Sequence, residues 1–167
     1  MQAAVLVVFV CTSSTCRSPM ALKFGEQWFL DQQKTSLPSS QQYRFIARGL
    51  TDEYEPWGSP ASANGIHVLA EDFQLDLSQH RSTLLSGTDV EAASLIVGVT
   101  KRHVAEVERR FPGSIGKVVP LMKDVTDPWH QGIDVYRLCA HTMRPLVRDV
   151  LDQHAGTVCQ RRDRNAK

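Results

Sequence analysis

Long apolar runs are missing from this sequence, and so is an excess of charge of either sign. No apolar stretch approaches the ~18 residues that indicate a membrane-spanning helix, so no membrane partner is expected. The 19 lysines and arginines nearly balance the 18 aspartates and glutamates, which leaves a net charge of +1. Because proteins that bind nucleic acid usually carry a marked basic excess, no nucleic-acid partner is expected either.

Cysteines are few, and their spacing fits neither a zinc site nor a disulfide framework. The four are Cys11, Cys16, Cys139 and Cys159, and none of them forms a C-x2-C pair. The first residues, MQAAVLVVFV, lack the basic start and the cleavage site of a secretory signal. We therefore expect a cytoplasmic protein with no metal and no other cofactor, whose cysteines are catalytic or inert.

Short apolar runs alternate with segments of helical periodicity, and no internal repeat interrupts them. The predicted strands are residues 3–10, 43–50, 94–99 and 117–122. The predicted helices are residues 18–33, 61–75, 101–111 and 132–154. Strands buried on both faces that alternate with helices indicate a doubly wound α/β protein with a parallel sheet. We expect one domain over residues 1–156 and a basic C-terminal tail over residues 157–167.

The last predicted helix carries two further expectations. Its plausible core residues are Val135, Leu138, Cys139, Leu146, Val150 and Leu151. Pro145 lies inside this helix and is expected to kink or interrupt it, because proline has no amide to donate.

Residues 11–18, CTSSTCRS, join the first predicted strand to the first predicted helix. In doubly wound proteins, ligands bind beyond the carboxyl ends of the strands, and a helix N-terminus there binds anions. Cys11 would face such an anion as a nucleophilic thiolate, and Ser18 would donate a hydrogen bond to it. Arg17 offers a planar fork for two phosphate oxygens. The spacing predicts a phosphate-binding loop with its own nucleophile; a buried structural cysteine beside a helix cap is the alternative.

A phosphatase also needs an acid that protonates the leaving group. Asp124 and Asp127 follow the last predicted strand, in DVTDPWHQG, and so lie at the same edge of the sheet as Cys11. Pro128 stiffens the loop and would hold the Asp127 carboxyl over the site. Asp127 is therefore the predicted acid, with Asp124 next in line; an ordinary Asp-Pro turn is the alternative.

Five segments together resemble the low-molecular-weight protein tyrosine phosphatases. VCTSSTCRSPMA, at residues 10–21, resembles their phosphate loop, V-C-x-G-N-x-C-R-S-P-M-A, and DVTDPWHQG resembles their late D-P-Y or D-P-F loop. Between them, GLTDEYEPWGSPA resembles the variable loop, LDLSQHRS the histidine-containing stretch, and LIVGVTKRH the strand that enters MD-x-x-x. The segments follow the family order to about residue 154. The resemblance implies a three-layer fold with a four-stranded parallel, twisted sheet, and protein phosphatase activity without a cofactor.

The resemblance also implies roles for individual residues. Cys11 would form a cysteinyl-phosphate, Arg17 would bind the phosphoryl oxygens, and Asp127 would protonate the leaving group and then activate water. The implied phosphate-binding residues are Thr12, Ser13, Ser14, Thr15, Cys16, Arg17 and Ser18. Cys16 matches a family cysteine that can form a reversible disulfide with the nucleophile. The implied ligands are a phosphorylated protein or peptide as substrate, and phosphate or another oxyanion as product or inhibitor.

Some positions depart from the family pattern. Ser13 and Ser14 replace Gly-Asn, and Ala47 replaces the serine of an S-A-G element, whereas His80 matches the family histidine that supports the loop. Because serine tolerates unusual backbone angles less well than glycine or asparagine, we expect the loop to be held differently or more loosely.

Two substrates remain open. Thr15 resembles the bacterial protein-arginine phosphatases of the same family, which favours phosphoarginine. The expected pocket walls, Tyr54, Trp57 and Trp129, fit phosphotyrosine, although an aromatic face can also stack on a guanidinium.

Two other activities are alternatives on this fold. An arsenate reductase would need resolving cysteines, for which only Cys139 and Cys159 are present. A catalytically weak phosphate-binding homologue would fit Ser13-Ser14. His103 and His141 are expected to lie on helix surfaces.

Overall fold

The computed structural model describes the backbone of residues 4–35 and 41–165, and side chains within those ranges up to residue 155. The chain forms a sheet of four strands, five α-helices and one 3-10 turn within the described ranges. In order, they are β1 (Val5–Cys11), α1 (Arg17–Thr35), β2 (Tyr43–Gly49), α2 (Ala63–Phe73), α3 (Gly87–Ala92), β3 (Leu95–Gly98), α4 (Lys101–Arg110), the 3-10 turn (Pro112–Ser114), β4 (Val118–Pro120) and α5 (Ile133–Asn165). No helix in those ranges is long and apolar enough to cross a membrane.

The strands form one sheet in the order β2-β1-β3-β4, and every neighbouring pair is parallel. This confirms the predicted four-stranded parallel sheet. Because all four carboxyl ends point to the same edge, the loops after β1 and β4 meet there. β1 lies inside the sheet between β2 and β3, and Cys11, its last residue, pairs with Gly49 of β2.

Side chains of β1 alternate between two cores. Val7 and Phe9 pack with residues of α1, α2 and α5 on one face of the sheet. Val8 and Val10 pack with residues of α3 and α4 on the other face. Full burial of one such side chain contributes about 1.5–3 kcal/mol. The continuous apolar run of β1 therefore follows from helices that cover both faces, and the fold has three layers.

The buried face of α5 differs from the predicted one. Leu138 is 69% exposed and Val135 is 38% exposed, so their assignment to the core was wrong. Cys139, Val150 and Leu151 are buried as predicted, and Leu146 packs against the core from a partly buried position. Tyr136, Ala140, Met143 and Val147 complete the buried face. These positions recur every three or four residues, whereas Val135 and Leu138 lie off that stripe.

Pro145 does not interrupt α5, and the helix does not end near residue 154. It continues to Asn165, so the backbone of residues 157–165 extends the helix. The carbonyl that loses its partner at Pro145 belongs to His141, which lies on the exposed side of the helix, where water can bind it. The division into a domain and a tail stays a prediction, and the side chain of Cys159 lies outside the described residues.

Candidate active site

The loop from β1 to α1 wraps around a point in front of the α1 N-terminus. Cys11 ends β1 and Arg17 begins α1, so residues 12–16 make the whole connection. Three carbonyls of this loop accept hydrogen bonds from other parts of the chain. The Thr12 carbonyl accepts from Leu50 N–H over 2.7 Å, and the Thr15 carbonyl accepts from Ser62 N–H over 2.9 Å. The Ser14 carbonyl accepts from His80 Nε2–H over 2.6 Å.

The amides of the same loop are not held in this way. Among the described residues, no amide of residues 13–16 donates to a protein acceptor. Inward-facing amides at a helix N-terminus, where the helix dipole is positive, form an anion site. Of the predicted phosphate-binding residues, Thr12, Ser13, Thr15, Cys16 and Arg17 line one cavity together with Cys11, whereas Ser14 and Ser18 do not.

Ser14 adopts a left-handed backbone at the position where the family pattern has asparagine. Its φ is 56°, a region that costs most L-residues roughly 1–2 kcal/mol. Its Oγ lies 2.9 Å from Ser18 Oγ, and its carbonyl binds His80. Burial lowers the pKa of His80, so the imidazole that binds this carbonyl is neutral at neutral pH. The loop is therefore supported although it lacks the family asparagine.

Ser18 contacts the predicted nucleophile through two groups. Its amide donates to Cys11 Sγ over 3.4 Å, and its hydroxyl oxygen lies 3.2 Å from that sulfur. A thiol can donate to the hydroxyl; once the thiol ionises, the hydroxyl instead donates to the sulfur. Ser14 can then donate to Ser18, so the two hydroxyls form a chain that ends at the thiolate.

Arg17 is buried, with 6% of its surface exposed, and its guanidinium joins the phosphate loop to the loop after β4. Nη1 donates to the Val125 carbonyl over 3.0 Å, and Nη2 lies 3.2 Å from Asp127 Oδ2. Its Nε is buried and has no hydrogen-bond partner in the described part of the chain. Because a buried guanidinium nitrogen without a partner is costly, this N–H is available to an oxyanion in the loop.

The two aspartates after β4 have different surroundings. Asp127 lies beside Arg17, its side chain is 44% exposed, and its Oδ1 accepts the Trp129 amide over 3.2 Å. Asp124 Oδ1 instead accepts the amide of Lys101, the first residue of α4, over 2.9 Å. Asp124 therefore stabilises the start of a helix, whereas Asp127 stands at the mouth of the site.

A cavity of about 830 Å³ opens in front of the loop, and Cys11, Arg17 and Asp127 line it. Tyr54 and Trp129 also line it, with their rings edge to face and centroids 5.2 Å apart. The Trp129 indole N–H lies 3.4 Å from a Glu55 carboxylate oxygen.

Trp57, the third predicted pocket wall, is not among the residues that line this cavity. It packs instead against Gly49, where an added Cβ would lie 2.9 Å from both the Trp57 ring and the Ser13 backbone. Trp57 thus supports β2 behind the phosphate loop, which corrects its predicted position.

Cys16 and Cys139 are both buried, and Cys16 also lines the cavity. Cys16 Sγ is 3.3 Å from the Tyr136 hydroxyl and 3.8 Å from Thr15 Oγ1, and burial raises its pKa. Cys139 is also buried, which raises its pKa to about 12. A thiol that is buried and protonated is a poor resolving cysteine, so Cys139 does not support arsenate reduction. The Cys11–Cys16 disulfide stays a prediction.

His103 belongs to the site, although it was not predicted there from the sequence. Its side chain is buried rather than on the helix surface, it lines the cavity, and its Nε2 lies 3.0 Å from Thr12 Oγ1. The signal was the spacing of Thr100 and His103, which form a capping box at the start of α4. His141 is exposed, as expected. Within the described ranges, no group of three or more histidines, cysteines and carboxylates could hold a metal ion.

Comparisons with known proteins agree with this geometry. The family model described as low molecular weight phosphotyrosine protein phosphatase matches residues 6–160. Among curated relatives, a protein-arginine-phosphatase of Geobacillus stearothermophilus is 27% identical over 84% of this chain and 90% of its own. One of Bacillus subtilis is 28% identical over 88% and 95%.

Solved structures of two phosphatases superpose closely on this chain. A low molecular weight protein tyrosine phosphatase from T. tengcongensis superposes with a TM-score of 0.76 at 25% identity, covering 90% of this chain and 99% of its own. An arginine phosphatase from Geobacillus stearothermophilus superposes with a TM-score of 0.75 at 26% identity, covering 93% and 96%.

Proposed function

The chain belongs to the low molecular weight phosphotyrosine protein phosphatase family, and from that premise we propose how this protein phosphatase divides the reaction among its residues. Cys11 is the nucleophile, Arg17 and the amides of residues 13–16 bind the phosphoryl oxygens, and Asp127 is the acid and base. The substrate is a phosphorylated side chain of a protein.

The reaction has two steps, transfer of the phosphoryl group to Cys11 and its hydrolysis. In the first, the Cys11 thiolate attacks phosphorus, an S–P bond forms, and the bond from phosphorus to the leaving oxygen or nitrogen breaks as the Asp127 carboxylic acid protonates that atom. In the second, water attacks phosphorus, the Asp127 carboxylate takes its proton, and the S–P bond breaks to release inorganic phosphate and the thiolate. Arg17 and the inward amides stabilise the charge that spreads over the equatorial oxygens.

One observation carries this assignment. The buried Arg17 guanidinium has an unpartnered Nε inside the loop, and its Nη2 contacts Asp127 at the mouth. The same side chain therefore borders the anion site and the acid, and Cys11 lies at the base of that site. This arrangement supports phosphoryl transfer with leaving-group protonation rather than anion binding alone. The Cys11 nucleophile must be reduced, so a reducing compartment, the cytoplasm, is the proposed location.

Different observations favour each of the two substrates. The edge-to-face pair of Tyr54 and Trp129 offers an aromatic wall to a phosphotyrosine ring. Thr15 and the relatives named protein-arginine-phosphatase favour phosphoarginine. Glu53, which also lines the cavity, would attract a guanidinium and not a phenol.

Kinetics on two peptides of one sequence, which carry phosphotyrosine or phosphoarginine at the same position, test the proposal. We expect turnover of at least one peptide, and rapid quenching should trap a phosphate on Cys11 of the wild-type protein. The matched variant Cys139→Ser should keep both properties, because Cys139 is buried outside the cavity. If neither peptide is hydrolysed, or if the trapped phosphate is on another residue, the proposal is wrong.

A further inference from the structure

His103 occupies an unusual place for a residue of α4. Most side chains of this helix are polar, and none of the others that are polar is buried, yet His103 is buried, with 6% of its surface exposed. Its Nδ1 lies 3.2 Å from the backbone nitrogen of Thr100 and 2.9 Å from the Thr100 hydroxyl. A backbone amide can only donate, so Nδ1 must be an acceptor. The single proton of the neutral ring is therefore on Nε2.

The Thr12 hydroxyl accepts the hydrogen bond that Nε2–H of His103 donates. His103 Nε2–H donates to Thr12 Oγ1 over 3.0 Å, and Arg17 Nη2 donates to the same oxygen over a longer distance, 3.4 Å. A hydroxyl oxygen has two lone pairs and one hydrogen. Because two N–H groups occupy both lone pairs, the Thr12 hydroxyl can act towards any further group only as a donor.

The surroundings of Thr12 indicate which group its hydroxyl can donate to. No acceptor for the Thr12 hydroxyl is found among the residues that the structure describes, and Thr12 lines the cavity beside Cys11. A hydroxyl of this kind is suited to an oxyanion, which accepts hydrogen bonds and donates none once fully ionised.

We propose that His103 is a positioning residue of the phosphate site, which fixes Thr12 so that the Thr12 hydroxyl donates a hydrogen bond to a phosphoryl oxygen. The inference rests on the proposed function, because it places the phosphoryl group in the loop of residues 12–18. It adds a side-chain donor to the backbone amides, and it makes α4 a part of the phosphate site.

The ring keeps this role at neutral pH. Burial, with the nearby cations Arg17 and Arg102, lowers the pKa of His103 to about 4, and Asp124 only partly opposes them. A protonated ring would also direct an N–H at the Thr100 amide, which is itself a donor. The neutral form with its proton on Nε2 is thus the one that the surroundings select.

The alternative is a purely structural role for His103, as the capping residue of α4. Two pairs of variants separate the two roles. Thr12→Val removes the hydroxyl at nearly constant shape, whereas Thr12→Ser keeps it. His103→Asn can still accept the Thr100 amide but is too short to reach Thr12, whereas His103→Gln keeps a donor near the position of Nε2.

The test measures inhibition of p-nitrophenyl phosphate hydrolysis by inorganic phosphate, together with KM, kcat and the thermal midpoint. We expect Thr12→Val and His103→Asn each to weaken phosphate inhibition about tenfold, the loss of one charge-assisted hydrogen bond. Thr12→Ser and His103→Gln should stay within about threefold of the wild type, and the Thr12→Val/His103→Asn double variant should match Thr12→Val alone. His67→Asn, on the exposed face of α2, is the control and should change nothing.

Three results would overturn the inference. Unchanged phosphate inhibition in Thr12→Val would show that the hydroxyl does not contact the anion, and this result holds even if the His103 variants fail to fold. Additive effects in the double variant would show that His103 does not act through Thr12. Wild-type protein that hydrolyses no phosphate ester would overturn the proposed function as well, whereas the first two results leave that function intact.

Discussion

Replacing Asp127 by asparagine isolates the proton that the proposed mechanism delivers to the leaving group. Asparagine keeps the size of the side chain and can still accept the Trp129 amide, but it cannot donate an acidic proton or pair with Arg17 as a carboxylate. That pair involves a half-exposed carboxylate, so its loss should cost at most about 1 kcal/mol of stability. The variant should therefore fold normally.

The catalytic effect should depend strongly on the leaving group. A positioned acid typically contributes 10²–10⁴-fold, or about 3–5 kcal/mol of barrier. We expect a loss of that size with phenyl phosphate, whose leaving group needs the proton, and a loss below about tenfold with p-nitrophenyl phosphate. Inorganic phosphate should inhibit the Asp127→Asn variant at least as well as the wild type, because a negative charge at the mouth has been removed.

The assay is kcat/KM, which reports only the steps up to release of the phenol, for a series of aryl phosphates plotted against the pKa of that phenol, with Asp124→Asn as the matched control. The slope should become steeply negative for Asp127→Asn and stay at the wild-type value for Asp124→Asn, whose carboxylate binds the α4 amide. An equal loss for every leaving group would refute the acid assignment, and a steep slope in Asp124→Asn would transfer the role to that residue.

The remaining predictions concern the loop and its neighbours. Cys11→Ser should abolish turnover of p-nitrophenyl phosphate while titration calorimetry still detects phosphate binding; residual turnover would contradict a Cys11 nucleophile. In urea titrations, the free energy of unfolding should be about 1 kcal/mol higher for Ser14→Gly than for Ser14→Ala. Both variants lose the contact with Ser18, but glycine adopts the left-handed backbone of this position without strain. The reverse order would argue against a left-handed backbone at this position. Thr15→Ile should move the ratio of kcat/KM on phosphoarginine and phosphotyrosine peptides towards phosphotyrosine, and an unchanged ratio would remove the argument from Thr15. Burial lowers the pKa of His103 from 6.5 to about 4, so the unfolded chain binds a proton that the folded one refuses, and stability should fall as the pH drops from 6.5 towards 4. Urea titrations at pH 7.5 and 5 should show a smaller decrease for His103→Asn, and equal decreases would contradict this.

The sheet was predictable because its strands are buried on both faces. A short continuous apolar run such as residues 5–11 is typical of a strand covered from both sides, and alternation with helices leaves a parallel sheet as the natural arrangement. The buried face of a helix was harder to predict. In α5, apolar residues occur at nearly every turn and on two sides of the helix, so the sequence allows either side to be buried. Packing against α1 and α2 decides that Met143 is buried and Leu138 is exposed.

In the site, consecutive residues were easier to predict than distant ones. Cys11 and Ser18 lie at the two ends of one short loop, only seven residues apart, so their contact follows from local geometry. His103 lies 91 residues from its partner Thr12, and its sequence neighbourhood looks like an ordinary surface helix. Trp57 shows the opposite error, because an aromatic residue beside Tyr54 suggested a pocket wall, whereas the loop turns its ring onto Gly49.

The loop after β4 holds its acid and its aromatic side chain at separate points. Arg17 contacts the Asp127 carboxylate and the Val125 carbonyl, whereas Tyr54 and Glu55 contact the Trp129 ring. Substitutions at position 129 can therefore change which side chain is accepted without displacing the proton donor two residues earlier. For protein engineering, rate and selectivity can then be tuned as two nearly independent variables within one short segment.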